Sequence, residues 1–329
     1  MEFFVDGTRV IRADWPELAG PNAAHLVSQP ALLEMFVEAA LRHSTFKLRM
    51  GAAVRDVRVT SSGVELHIRS GAGEETVLGD AVVAADGRGS LVRARANLKV
   101  ERLPFPFDFA WFSAPIPEGQ RHDPRFQGFI NGGRSAVLYP SWDDRLRVGI
   151  NIPSHEVSRL AVAPKTQLLE KLARVVGEPY ASFFWDRADD ISEPVILKVL
   201  FGRCPRWWAP RTLLLGDAAH PMSPVRAQGI NLALRDAIVA ANHLVPAIES
   251  SEVDAFDRAT PRIQQEREPE IVESQRLQVL TARPPPPARS ALLRATLLPV
   301  LRRTGIVKRL FLKAEIPLRH GVVPVRLVV

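Results

Sequence analysis

The chain has 329 residues, 46% hydrophobic and 24% charged, with a mean hydropathy of −0.01, a composition that supplies a large apolar core and excludes intrinsic disorder and collagen-like structure. At roughly 100–200 residues per domain the length predicts two domains, or one large domain with an insertion. The net charge of +7 comes from basic residues, mostly Arg, dispersed among Asp and Glu, and with no nucleic-acid motif beside them no nucleic-acid role is expected.

From Gln29 the segment Pro30–Leu41 repeats apolar residues at helical spacing, with Ser28 as N-cap candidate, and predicts an amphipathic helix. Ala53–Thr60 and Gly63–Ser70 alternate apolar and charged residues around Ser61-Ser62, a pattern that predicts a small hairpin. The unbroken run Ala81–Ala85, ending in Asp86-Gly87, reads as a parallel strand buried on both faces. Aromatic residues then crowd the segment 101–205, where Ser135–Tyr139 and Leu146–Ile152 are strand-like and Pro164–Val176 has the N-terminal proline and spacing of a helix. Arg211–Leu215 is a second buried strand, followed by helical patterns over Ile230–Ile248 and Glu252–Gln278. Pro284–Pro287 is a polyproline break, and Leu292–Leu312 reads as a helix hinged near Gly305.

No apolar run reaches the roughly 20 residues that cross a bilayer, and Met1–Asp6 lacks the regions of a signal peptide. The lone Cys204 excludes an intramolecular disulfide and a cysteine-based zinc site, so a cytoplasmic protein is expected, with Cys204 as a small buried hydrophobe. His220 has no Cys, His or carboxylate at ligand spacing, which points to a structural hydrogen-bonder and to no metal. Trp207 and Trp208 are expected to pack a junction between domains, not to bind substrate.

Each apolar strand opens into a loop of small residues. In the first, Asp86 to Arg93, glycines permit close backbone approach, Ser90 can cap a helix, and Asp86 and Arg93 supply opposite charges, an arrangement suited to a phosphorylated ligand. In the second, Gly216 to Asn231, Asp217 stands at a strand's carboxyl end, where a carboxylate can accept ribose or ribityl hydroxyls. Ala218 and Ala219 leave room for a large planar ligand, and Gly229 and Asn231 open a helix whose free N–H groups favour negative charge.

On these residues the chain resembles the FAD-dependent class A flavoprotein monooxygenases, aromatic hydroxylases of the para-hydroxybenzoate hydroxylase type. The second loop is similar to the family's GD motif, with Gly216, Asp217, Ala218, Ala219, His220, Pro224, Gln228, Gly229 and Asn231 in place, and the first to its DG motif, with Asp86, Gly87, Ser90 and Arg93. The resemblance spans about Val5 to at least Gln278. It implies an α/β fold: an FAD/NAD(P)-binding, doubly wound Rossmann-like domain, N-terminally truncated, with an inserted β-rich substrate domain and C-terminal helices. The implied division is a partial FAD-binding domain over 1–100, the substrate domain over 101–205, a return to the FAD-binding domain over 206–250, and a helical region over 251–329.

The resemblance further implies cofactor contacts from Asp86, Gly87, Arg93, Gly216, Asp217, Ala219, Pro224, Gly229, Ile230 and Asn231. Asp217 would serve the ribityl or pyrophosphate side of FAD, Pro224 would lie beside the flavin, and Gly229 to Asn231 would face the isoalloxazine. Asp86 and Arg93 would serve the pyrophosphate and the approach of NAD(P)H. No protein residue is expected to be the catalyst: the flavin, through a hydroperoxide, would pass oxygen from dioxygen to an aromatic or polyketide-like small molecule.

Two departures stand out. The family's opening strand, GxGxxG turn and helix are not present. By motif order Met1 falls about 80–100 residues into the family's fold. Arg226-Ala227 stands where many relatives carry two glycines. A second expectation is therefore a non-catalytic, truncated remnant that binds an apolar ligand or partner without FAD.

Overall fold

The computed structural model describes residues 1–14, 27–122, 125–250, 252, 254–282, 305–306, 308–313 and 321–329. The polyproline break and most of the helix expected over Leu292–Leu312 lie outside the described residues. Contacts divide the chain into two compact units. The first comprises Met1–Ala40 and Pro106–Val199 with the described residues of 305–313; the second comprises Leu41–Phe105 and Leu200–Ala282 with those of 321–329.

The chain opens in the first unit with β1 (Glu2–Val5), β2 (Thr8–Arg12) and α1 (Gln29–Leu41). Ser28 Oγ accepts from the Ala31 N–H at 3.4 Å at the start of α1, yet no residue of this helix is buried. The second unit begins with β3 (Ala53–Val59), β4 (Val64–Ser70) and β5 (Gly73–Gly79), then β6 (Val82–Ala84), α2 (Leu91–Arg95) and β7 (Glu101–Arg102). The expected hairpin is thus a three-stranded antiparallel sheet. Its third strand, largely exposed with Glu74 and Glu75 at its start, lacks the alternation that marks the other two.

Back in the first unit follow β8 (Phe107–Pro115), α3 (Glu118–His122), β9 (Gln127–Asn131), β10 (Arg134–Pro140), β11 (Arg145–Pro153), α4 (Val157–Leu160), α5 (Lys165–Val176), α6 (Tyr180–Asp186) and β12 (Val195–Leu197). A seven-stranded sheet in the order β12-β8-β11-β10-β9-β1-β2 carries this unit. β1 runs parallel to β9, so the first two strands belong to this sheet and not to the nucleotide-binding sheet implied for residues 1–100. Side chains alternate across β8. Ala110, Phe112 and Ala114 join Leu138, Val148 and Ile150 in a core that takes in Leu169 and Leu172 of α5. Phe107, Phe109 and Trp111 form an aromatic row along the other face, which continues to Tyr139 of β10.

The second unit resumes with β13 (Gly202–Arg203), β14 (Trp208–Ala209), β15 (Thr212–Leu214), α7 (Gly229–Glu249) and α8 (Ala255–Ala282). β15 pairs in parallel with β6, Leu214 opposite Ala84, in a three-stranded sheet ordered β14-β15-β6. All three residues of β15 are buried, as its apolar run predicts. β6 departs from that expectation: Val82 and Ala84 are buried but Val83 is 45% exposed, because among the described residues β6 is an edge strand with one face open. No helix among the described residues is long and apolar enough to cross a membrane.

Candidate functional site

Because β6 and β15 are parallel neighbours in register, the chain leaves both strands on the same edge of the sheet. The two motif loops are thereby brought side by side within the second unit. At the first loop Gly87 has φ +78°, a left-handed conformation that glycine adopts without steric cost. Asp86 Oδ2 accepts the Leu91 and Val92 N–H groups at 2.8 and 3.2 Å, and Ser90 Oγ accepts the Arg93 N–H at 3.0 Å, so both side chains cap α2 as the helix N-terminus requires. Arg93 then crosses to the second loop: Nη1 donates to the Ala218 carbonyl at 2.8 Å and Nη2 to the Arg88 carbonyl at 2.6 Å.

The second loop begins at Gly216, with φ +57°, where an added Cβ would meet Ala233 Cβ of α7 at 3.0 Å. Gly216 to Ala218 form one 3₁₀ turn, closed by the Ala219 and His220 N–H groups on the Gly216 carbonyl, both at 2.9 Å. Ala218, Ala219 and His220 are buried and Asp217 is half-buried. Burial raises the Asp217 carboxyl above its ordinary value, against the opposing influence of His220, Arg88 and the Met222 N–H.

Pro224 and Gly229 are half-buried, while Ile230 and Asn231 are exposed at the N-terminus of α7. An added Cβ at Gly87, Gly89 or Gly229 meets nothing within 4 Å. Open space at Gly87, Gly89 and Gly229, a half-buried carboxylate and the positive end of a 21-residue helix suit a ligand with hydroxyls and negative charge. Between them, Arg226 and Ala227 occupy left-handed backbone at φ +67° and +51°. Arg226 Nε is anchored to Thr281 Oγ1 at 2.7 Å.

His220 is the hydrogen-bonder its surroundings predict: its Nε2 lies 2.6 Å from Asp236 Oδ2, in a buried site. Its ring packs against Trp207, centroids 4.8 Å apart, and Trp207 lies in the core of this unit with Cys204, Ala218 and Ala219. Burial pushes the Cys204 thiol up to about 11, as suits an inert core residue.

Two features that the motifs do not mark support the loops. Asp236 is one. The other is the polar face that α8 buries: Gln264 donates to the Pro205 carbonyl and accepts the Trp207 N–H, Gln275 donates to the Gly202 carbonyl, and Gln278 donates to the Ser223 and Val225 carbonyls. These glutamines hold irregular backbone that strands leave unpaired. Their helical spacing is visible in the sequence, but polar residues at such spacing ordinarily mark a solvated face.

An α/β unit with glycine-bearing loops side by side at the ends of adjacent parallel strands is the arrangement found in the class of dinucleotide-cofactor proteins. A family profile described as FAD binding domain matches residues 1–266. The chain belongs to that family, the one its two motifs resemble. A 6-methylpretetramide 4-monooxygenase of Streptomyces rimosus is 30% identical over 281 residues, covering 84% of this chain and 65% of that protein. A phenazine 1,6-dicarboxylic acid hydroxylase of Lysobacter antibioticus is 29% identical over 313 residues, covering 84% and 74%. The chain thus spans slightly less than two thirds of the first of these relatives.

Among solved structures, a probable FAD-dependent monooxygenase of Pseudomonas aeruginosa, PqsL, superposes with a TM-score of 0.71 at 24% identity, over 85% of this chain and 76% of that one. The p-nitrophenol 4-monooxygenase PnpA of Pseudomonas putida DLL-E4 gives 0.70 at 18% identity, over 97% and 80%. These likenesses establish a shared fold.

Proposed function

We propose that this chain is an FAD-dependent monooxygenase that hydroxylates an aromatic or polyketide-like small molecule in the cytoplasm, with NAD(P)H as reductant and dioxygen as oxygen donor. The observation that carries this reading is the junction of the two motif loops through Arg93 and the Ala218 carbonyl, beside the open N-terminus of α7. The hydroxylase and monooxygenase names of its relatives support the reaction class.

FAD, when bound, supplies the redox and oxygen-transfer chemistry. Asp217 would accept hydroxyls on the ribityl or pyrophosphate side, and those hydrogen bonds would favour its half-buried carboxylate in the ionised form. Gly87 would let backbone approach the cofactor closely, Gly216 seats its loop against α7, and Ala219 adds little bulk. Asp86 and Arg93 serve the pyrophosphate side by holding α2 and the two loops together. Pro224 would border the ring, and the N-terminal N–H groups at Gly229, Ile230 and Asn231 would stabilise negative charge there.

The test is a titration of the purified protein with FAD, followed by flavin fluorescence and release of the bound flavin. Binding near one FAD per chain, with NADH or NADPH oxidation stimulated by candidate phenols, is the expected result. A protein that stays colourless at saturating FAD overturns the reading.

A further inference from the structure

Beneath the second loop lies a chain of buried charges that the proposed chemistry does not use. Asp236, on α7, meets both ends of the loop with one oxygen: Oδ2 accepts the Gly216 N–H at 3.1 Å and pairs with His220 Nε2 at 2.6 Å. Its Oδ1 accepts from Arg267 Nε of α8 at 2.8 Å. Arg267 Nη1 donates in turn to Glu270 Oε2, which also accepts from Arg235 Nε at 2.9 Å. Asp236 and Arg267 are fully buried and Glu270 is 1% exposed.

The chain of charges ends on a segment far away in sequence. Glu270 Oε1 accepts the Val322 N–H at 2.8 Å, and Arg235 Nη2 donates to the Val323 carbonyl. Gly321 has φ +77°, and an added Cβ would stand 2.6 Å from Glu270 Oε1 and closer still to Arg235 Nη2. Only glycine seats this segment directly on the ion pair. His220 Nδ1 and Arg267 Nη2 find no partner among the described residues, so a further lost partner leaves buried charge uncompensated.

We propose that Asp236, Arg267, Glu270 and Arg235 form a positioning relay that sets the Gly216–His220 loop, and that Gly321–Val323 closes the relay from its far end. Asp236 is then a positioning residue for Asp217, which stands between its two anchor points. The relay rests on the FAD reading for its purpose, but the fixing of the loop is a property of the chain itself.

The test is hydrogen exchange on the full chain, in the wild type and in the variants Glu270→Gln and Gly321→Val, neither of which alters a residue of the loop. Amides of residues 216–220 are expected to exchange about ten-fold faster in both variants, while β8 to β11 keep wild-type rates. FAD affinity should fall by a similar factor, and the visible circular dichroism of bound flavin should change. Unchanged exchange at 216–220 overturns the relay, and so does a loss of protection spread evenly over the second unit. If Glu270→Gln fails to fold, Gly321→Val decides alone, because it leaves every charge in place. A wild type that binds no FAD would sink the functional reading and leave the exchange comparison intact.

Discussion

Asp217 shows how burial sets one carboxylate against folding. Burial raises its folded-state pKa above the ordinary 3.8. The folded protein therefore keeps this proton to higher pH than the unfolded chain does. The resulting stabilisation is fully present below 3.8 and is lost as pH rises through the folded value, so at pH 7 the ionised carboxylate opposes folding. Asp217→Asn is expected to raise the melting temperature of the FAD-free protein at pH 7, with the gap narrowing on acidification. The same change should weaken FAD by about 10-fold or more, the worth of a hydrogen bond to a charged acceptor. Thermal melts across pH and FAD titrations check the two halves separately. Arg226 and Ala227 illustrate a related cost, since left-handed backbone without glycine costs about 1–2 kcal/mol per residue.

At the scale of elements, the aromatic row of the large sheet depends on glycines in neighbouring strands. Gly149 of β11 is the register partner of Trp111 in β8, and an added Cβ there would lie 2.7 Å from the indole ring. Gly128 of β9 stands under the Phe3 ring in the same way. Overpacking of this kind forces ring or strand to shift. Gly149→Ala should cost about 1–3 kcal/mol, read as a lower urea midpoint at unchanged slope. α8 depends on the opposite device, polar groups in a buried face, where each glutamine satisfies backbone that would otherwise be stranded without a partner.

For the whole molecule, acid is the expected point of weakness, and each unit carries its own ion-paired carboxylates. In the first, burial would raise Glu156, but Lys171 and Arg134 hold it at about 2. In the second, His220 and Arg267 outweigh burial at Asp236, while Arg235 and Arg267 do so at Glu270. A depressed folded pKa contributes stability above the unfolded value, 4.5 for Glu156, which is lost as pH falls through the folded one. Glu156→Gln is accordingly expected to lower the melting temperature at pH 7 and to converge with the wild type near pH 2. Melts followed by circular dichroism between these limits measure the difference.

Local chemistry made much of this protein legible. The apolar runs at β6 and β15, the Ser90 cap, the proline-led α5, the long α7 and both motif loops follow from spacing and turn residues, because such elements are decided by residues close in sequence. The tertiary structure alone decided that β1 lies parallel to β9, that β6 has an open face, and that Arg93 reaches a carbonyl 125 residues away. It alone decided that Asp236, Arg267 and Glu270 are buried together and that Gly321–Val323 lies upon them. A charged residue announces neither its burial nor its partner, since both depend on which distant segment supplies the compensating charge, and that is determined only when the chain has packed.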